Sequence, residues 1–267
     1  MRYHFSKYHG AGNDLIIIDD RPAQFPESRE LIQKICHRNY GIGSDGLILL
    51  REDPLADYRM VFFNPDGNQV AMCGNGIRCL VHFLHKLGIE KSIYHIATVK
   101  KVYPCRHLGE KVAVNMGAPQ ILQWDYAISD GQRFWKCYVV DSGVPHAIIF
   151  TSDLAKEDVG GQGKIIRNLA CFSPEGVNVS FIHVTSSDCM HIRTYERGVE
   201  AETLACGTAA TAASFVARKL GLLSSKVEVF PLSREKIEIN FHSGDKEEEV
   251  EMIGQATCVY QAVVDME

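Results

Sequence analysis

The sequence predicts an α/β protein made of two similar halves, each holding one central helix among short strands. Three observations carry this expectation. Cys73-Gly74 and Cys206-Gly207 lie 206 − 73 = 133 residues apart, and the same offset places Gly143 on Gly10, Gly176 on Gly43, Tyr195 on Phe62 and Lys219-Leu220-Gly221 on Lys86-Leu87-Gly88. Each Cys-Gly opens an apolar run of helical period. Around these runs, short apolar stretches alternate with glycine turns. The 267 residues then divide at Gly117-Ala118-Pro119 into a half of residues 1–117, joined by a terminal strand within 254–267, and a half of residues 118–253. Halves of that size are large enough for separate cores.

The elements follow in order. Arg2 to Tyr8 alternates as a strand, His9 to Asp14 is a glycine turn, and Leu15 to Asp19 is a buried strand. Residues 28–39 read as a short helix with Leu31, Ile32 and Ile35 on one face. Gly41 to Gly46 turns into strand Leu47 to Leu50, and Tyr58 to Asn64 is a strand ending in the turn Pro65 to Asn68. The helix from Gly74 to Leu87 puts Ile77, Leu80, Val81, Leu84 and Leu87 on one face and stops at Gly88. Strands follow at Ile93 to Ala97 and Lys111 to Asn115.

The second half repeats the order, with strands at Lys136 to Val140 and Ala147 to Phe150, a short helix over 162–170, and strands at Val177 to Val184 and His191 to Tyr195. Its helix, Gly207 to Leu220, is rich in alanine, which suits a helix wrapped by a sheet on most sides. Strands at Lys226 to Phe230, Lys236 to Asn240 and Glu248 to Met252 come next. The last strand, Cys258 to Val264, exceeds the repeat and can cross back to the first half. The charge run Asp245 to Glu251 reads as a solvated hairpin.

Composition narrows the function. A net charge of −5 argues against a nucleic-acid surface, and the apolar runs are strand length, so no membrane span is expected. Nine cysteines, an odd number, behind an N-terminus without a signal-peptide h-region point to reduced thiols in the cytoplasm. No CxxC or HExxH occurs, and His82 and His85 have no further ligand nearby in sequence, so no metal site is expected.

Gly41-Ile42-Gly43-Ser44-Asp45-Gly46 spells GxGxxG, but a strand follows it where the dinucleotide fingerprint needs a helix. It is read as a tight turn. Most of the cysteines (36, 79, 105, 137, 171, 189 and 258) read as packed small hydrophobes. Cys73 and Cys206 differ because each immediately precedes a helix, whose dipole and unpaired amides favour thiolate over thiol. The amides of Gly74, Asn75, Gly207 and Thr208 are positioned to bind an anion such as a substrate carboxylate. Two thiols, one from each half, supply the opposed acid and base that inversion of a carbon centre needs. A duplicated core cysteine or an inter-half disulfide is the plain alternative. Asn13, Asn64, Asn178, Glu196 and Arg197 sit at turns or strand ends leading toward the cysteines, and His146 aligns with Asn13.

At these residues the chain resembles the diaminopimelate epimerases. The matching stretches are Gly-Ala-Gly-Asn-Asp (10–14), Gly-Ile-Gly-Ser-Asp-Gly (41–46), Phe-Asn-Pro-Asp-Gly (63–67), Met-Cys-Gly-Asn-Gly-Ile-Arg-Cys (72–79), Pro-His (145–146), Gly-Val-Asn-Val (176–179), Tyr-Glu-Arg-Gly (195–198) and Glu-Thr-Leu-Ala-Cys-Gly-Thr (202–208). The resemblance implies two pseudo-symmetric domains, each a curled, mostly antiparallel sheet around a central helix. It implies conversion of LL- to meso-diaminopimelate for lysine and peptidoglycan precursors, without a cofactor and with a small-molecule amino-acid substrate. A homodimer is left open. Cys73 and Cys206 are implied as the two bases, assisted by His146 and Glu196. Asn13, Asn64, Gly74, Asn75, Asn178, Glu196, Arg197, Gly207 and Thr208 are implied to hold the substrate. The chain departs from the family pattern at Val144, where many members have Asn, in a longer 199–201 loop, and at Ala209 in place of a glycine. These departures bear on selectivity and keep a broader amino-acid racemase, acting for instance on glutamate, as the alternative.

Overall fold

The structure is a computed structural model that describes residues 2–244 and 247–265. Its elements in chain order are β1 (Arg2–Gly10), β2 (Asn13–Asp19), α1 (Arg29–Cys36), β3 (Leu47–Arg51), β4 (Tyr58–Phe63), β5 (Gln69–Val70), α2 (Gly74–Lys86), β6 (Tyr94–Ala97), β7 (Val102–Leu108) and β8 (Lys111–Gly117). There follow β9 (Gln120–Ser129), β10 (Phe134–Asp141), β11 (Pro145–Phe150), α3 (Val159–Arg167), β12 (Asn178–Ser186), β13 (Cys189–Glu196), β14 (Ala201–Thr203), α4 (Gly207–Lys219), β15 (Lys226–Phe230), β16 (Ile237–Ser243), β17 (Glu248–Gln255) and β18 (Thr257–Asp265). The chain forms two compact units, one of residues up to Val114 and from Gly254 onward, the other Asn115–Ile253. No helix among the described residues is long and apolar enough to cross a membrane.

In the N-terminal unit β18 pairs with β1, β1 with β2, β3 with β4, and β6 with β7, all antiparallel. β2–β3 and β4–β6 are parallel. The C-terminal unit repeats this pattern. β9–β10, β10–β11, β12–β13 and β15–β16 are antiparallel, and β11–β12 and β13–β15 are parallel. Each parallel step spans a helix, as a crossover requires. Strand β9 plays for β10 the part that the chain-terminal β18 plays for β1.

Each unit wraps its sheet around one helix. In α2, residues 74–81 are all buried, with Phe83 and Leu84, against β1, β2, β3, β4, β7 and β18. In α4, residues 207–217 are buried without a break against β10, β11, β12, β13, β15 and β16. The alanines of α4 let strands approach it from several sides, as its composition suggests. Both helices end alike. Gly88 and Gly221 take positive φ, and the following residue donates its amide back into the last turn, Ile89 to Leu84 and Leu222 to Ala217.

A second helix in each unit covers the sheet. α1 starts at Ser28, whose Oγ accepts from Leu31 N at 3.2 Å, and buries Ile32, Ile35 and Cys36. The GxGxxG segment wraps its C-terminal end. Gly41 N donates to His37 O, Gly43 N to Ile35 O and Ser44 N to Cys36 O. A Cβ at Gly41 would overlap the Lys34 carbonyl, and one at Gly46 would strike the Phe62 ring. The glycines therefore serve close packing, with no helix after them to cradle a phosphate.

Several elements differ from expectation. The second-half short helix is shifted, running over Val159–Arg167 from an Asp158 cap. β5, β7, β9 and β14 lie outside the expected strands. The run Asp245 to Glu251 falls, as expected, at the antiparallel β16–β17 hairpin, and its residues 245 and 246 lie outside the described residues. Residues 248–251 belong to β17, where Val250 is buried and Glu248 pairs with Arg218 at 3.1 Å. Cys171, expected to be packed, is exposed. Burial pushes the thiols of Cys36, Cys79 and Cys137 up to about 12, so these stay protonated and inert.

Candidate active site

Cys73 is the N-cap of α2, with extended backbone at φ −140°, and its Sγ accepts from Gly76 N at 3.3 Å. The sulfur is thus aimed back at the helix amides. It also lies 3.8 Å from Asn13 Oδ1, at the head of β2. Asn13 Oδ1 further accepts from Asn75 Nδ2 at 3.3 Å, and Asn13 Nδ2 donates to Asp45 Oδ2 at 3.0 Å. Asn75 is in turn held by Arg78, whose Nη2 donates to Asn75 Oδ1 at 2.8 Å. Asn13, Cys73 and Asn75 are therefore brought together, with Gly74 buried at the helix start. Asn64 lies in the turn after β4, its amide donating to Asn68 O and its carbonyl accepting from Gly67 N.

Behind Asn13 lies a charged cluster. Asp45 Oδ2 also accepts from Asp14 N, and Arg38 Nη2 bridges Asp45 Oδ1 at 2.6 Å and Asp14 Oδ1 at 2.7 Å. Lys7, nearly buried, donates to Gly43 O and pairs with Asp14. Burial opposes ionisation of Asp14, but Arg38 and Lys7 outweigh it and hold the carboxyl below its ordinary value. Burial and the neighbouring Asp14 push Asp45 up.

In the C-terminal unit Cys206 precedes α4 with φ −129°, and its Sγ lies 3.3 Å from Thr208 Oγ1. Thr208 Oγ1 meets His146 Nε2 at 3.0 Å, and Thr208 O accepts from Ser142 Oγ at 2.8 Å. His146 is wholly buried on β11, and burial lowers its imidazole to about 3, so it is neutral. Cys206, Gly207, Thr208 and His146 thus form one group. Asn178 and Arg197 form another, since Asn178 Oδ1 accepts from Arg197 N at 2.8 Å. The Arg197 guanidinium reaches Glu175 O and Gly176 O through Nη1. Glu196 accepts from Thr203 Oγ1 at 2.5 Å. Val144 is half-buried in the turn before β11, its carbonyl accepting from Ser142 N.

Asp45, Arg38 and Arg78 were not singled out from the sequence. Arg78 had a readable signal, a lone cation in an otherwise apolar helical stretch. Asp45 had none, because it sits in a glycine turn where Asp is commonplace. Among the described residues no group of three or more His, Cys, Asp or Glu is placed to hold a metal ion.

A family model described as diaminopimelate epimerase matches residues 5–122 and 138–259. A diaminopimelate epimerase of Chlorobaculum tepidum is 39% identical over 261 residues, covering 96% of this chain and 99% of that protein. One of Flavobacterium psychrophilum is 39% identical over 237 residues, covering 88% and 90%. Among solved structures, a probable proline racemase from Agrobacterium radiobacter superposes with a TM-score of 0.80 over 99% of this chain and 93% of that one, at 14% identity. That last likeness speaks for the fold alone.

Proposed function

The chain belongs to the diaminopimelate epimerase family, and on that premise we propose that it interconverts LL- and meso-diaminopimelate, supplying lysine and peptidoglycan precursors. The α-hydrogen of an amino acid is weakly acidic. Inverting that carbon needs a base, a stabiliser for the charge that develops, and an acid on the opposite face. In this reading Cys73 and Cys206 are the base and the acid, and they exchange roles with the direction of reaction. Each lies where a helix dipole and amides favour a working thiolate.

The amides of Gly74, Asn75, Gly207 and Thr208 bind the substrate's α-carboxylate and share the charge that spreads onto it as the proton leaves. Asn13, Asn64, Asn178, Glu196 and Arg197 take the amino and carboxylate groups, Arg197 being suited to bidentate capture of the distal carboxylate. His146, through Thr208, and Glu196 tune the cysteines. The reaction uses no cofactor, and its reduced thiols suit the cytoplasm. The observation that carries the reading is the repeated one: each central helix begins directly after a cysteine and with buried residues.

The test is α-proton exchange with deuterated solvent, followed by NMR, on reduced protein given LL-diaminopimelate without additives, beside L- and D-glutamate. Exchange with inversion of diaminopimelate, lost in Cys73→Ala and Cys206→Ala, is the expected result. Turnover of glutamate at comparable rates moves the reading to a broader racemase, and full activity in either variant overturns the two-thiol assignment.

A further inference from the structure

The residues around Cys73 form a hydrogen-bonded chain with fixed ends. At one end is Arg78, which only donates; at the other is the Asp45 carboxylate, which only accepts when ionised. Between them, Arg78 Nη2 donates to Asn75 Oδ1 at 2.8 Å, Asn75 Nδ2 to Asn13 Oδ1 at 3.3 Å, and Asn13 Nδ2 to Asp45 Oδ2 at 3.0 Å. An amide in isolation can flip; two amides in series between a donor-only and an acceptor-only end cannot do so without facing like against like. The orientation of Asn13 is thus set by the chemistry of the ends. Its oxygen faces the Cys73 sulfur at 3.8 Å and accepts the thiol proton.

The Arg78 end is built into the fold. Arg78 is wholly buried, its Nε reaches Gln255 O at 3.4 Å, and the space it fills is left by two glycines. A Cβ on Gly10 would come within 3.1 Å of its Nη2, and one on Gly254 within 3.0 Å of its Cζ. The Asp45 end is anchored by Arg38 and by Asp14 N.

We propose that Arg78 and Asp45 are positioning residues: acting through Asn75 and Asn13, they present an acceptor oxygen that favours the protonated form of Cys73, opposing the helix amides, Gly76 N at 3.3 Å among them, that favour its thiolate. The catalytic part of this statement rests on the proposed two-thiol reaction; the orientation of Asn13 does not. Charged and titratable groups near Cys73 include Cys79 on its own helix, with Arg78 beyond Asn75 and Asp45, Asp14, Lys7 and Arg38 beyond Asn13. A hydrogen bond to the neutral form of an acid raises its pKa, and a net bond of ordinary strength corresponds to about half to one pH unit.

The experiment is the pH profile of Cys73 alkylation by iodoacetamide, read by mass spectrometry on the full chain carrying Cys206→Ala, with substrate absent. Asn13→Ala and Asp45→Ala are each expected to move the midpoint down by about half to one pH unit. In the double variant the shift should equal that of Asn13→Ala alone, because Asp45 acts through Asn13. Asp45→Asn, which keeps an acceptor oxygen but loses the charge, should restore most of the original midpoint. Additive shifts, or identical midpoints for Asp45→Asn and Asp45→Ala, would reduce Asp45 to a nearby charge and overturn the proposal. Should Asp45→Ala lose its cooperative thermal transition, Asp45→Ser takes its place under the same criteria. Because the readout is a thiol titration, absence of epimerisation in the wild type would sink the functional reading and leave this one standing.

Discussion

The two units open their central helices alike and surround those openings differently. Under the 133-residue offset, Asn13, Asn75 and Arg78 in one unit stand where His146, Thr208 and Thr211 stand in the other. Around Cys73 the partners are fixed in polarity by a guanidinium and a carboxylate. Around Cys206 they are a hydroxyl and a buried neutral imidazole, which can act in either sense. The Nδ1 of His146 has no hydrogen-bond partner among the described residues. A proton on Nε2 leaves an unpaired acceptor at Nδ1 rather than the rarer unpaired buried donor. In that tautomer His146 donates to Thr208 Oγ1 at 3.0 Å and leaves the Thr208 hydroxyl able to donate to Cys206 Sγ at 3.3 Å, a bond that would favour the thiolate. The duplication thus kept the thiol and the helix start while the surrounding residues diverged in the polarity of the bonds they offer to it.

The largest effect that tests this division is chemical. Cys73→Ala and Cys206→Ala should each lower inversion by about a thousandfold, within the range general acid–base groups contribute. Residual solvent exchange should survive for only one stereoisomer in each variant, and for opposite ones, since each retained thiol can still remove a proton from the face it serves. Exchange of the same stereoisomer in both variants, read by NMR, would contradict the division.

Positions 78 and 211 compare the helices energetically. Arg78→Met removes charge-assisted bonds from Asn75 Oδ1 and Gln255 O in a fully buried place and should cost about 2–4 kcal/mol. Thr211→Val loses one bond to Gly207 O within the helix and should cost under about 1 kcal/mol. Denaturant unfolding monitored with probes in each unit measures both, and equal costs would mean the buried arginine carries no special structural weight.

A smaller effect has a sign that separates the two thiols. In a Cys73→Ala background, Thr208→Val keeps the shape but removes the hydroxyl facing Cys206. The alkylation midpoint of Cys206 should rise by about half to one pH unit. Loss of the Asn13 side chain moves Cys73 the other way. Shifts of the same sign would show that both thiols simply respond to local packing.

Much of this was legible in the sequence, and the reasons are local. Cys-Gly before an apolar run, closed by Lys-Leu-Gly, marks both ends of α2 and α4 because caps and glycine stops are short-range signals. The strands flanking them alternate or run apolar over four or more residues. β7 does alternate, with Tyr103 and Cys105 buried, but Pro104 between them disguises it. β9 shows almost no inward face, and its pairing with β10 shifts register around Val139, so periodicity had little to detect. The amide chain was invisible for another reason. Asp45 meets Asn13 across 32 positions, and Arg78 meets Gln255 across 177, contacts that only the folded sheet creates.

The smallest effect concerns the helix position where the units differ by a histidine. His82 in α2 corresponds to Phe215 in α4. His82 is half-buried, 3.3 Å from Tyr8 Oη and beside His107, which stacks on His85 at 3.8 Å. Burial, then His107, Lys86 and His85, lower His82 to about 4. A base with a depressed folded-state pKa resists protonation while the unfolded chain accepts the proton near pH 6.5, its ordinary value. Stability from keeping it neutral is therefore whole above about 6.5 and is lost progressively as pH falls toward about 4. His146, lowered to about 3, loses in the same direction. His82→Phe, which gives the N-terminal unit the residue of its counterpart, should flatten the fall of the thermal midpoint between pH 6.5 and 4.5 without abolishing it, by about a few degrees at the acid end. Parallel melting curves for variant and wild type across that window would place the acid sensitivity elsewhere, and the histidine would then fill its place only as a smaller, more polar ring than phenylalanine.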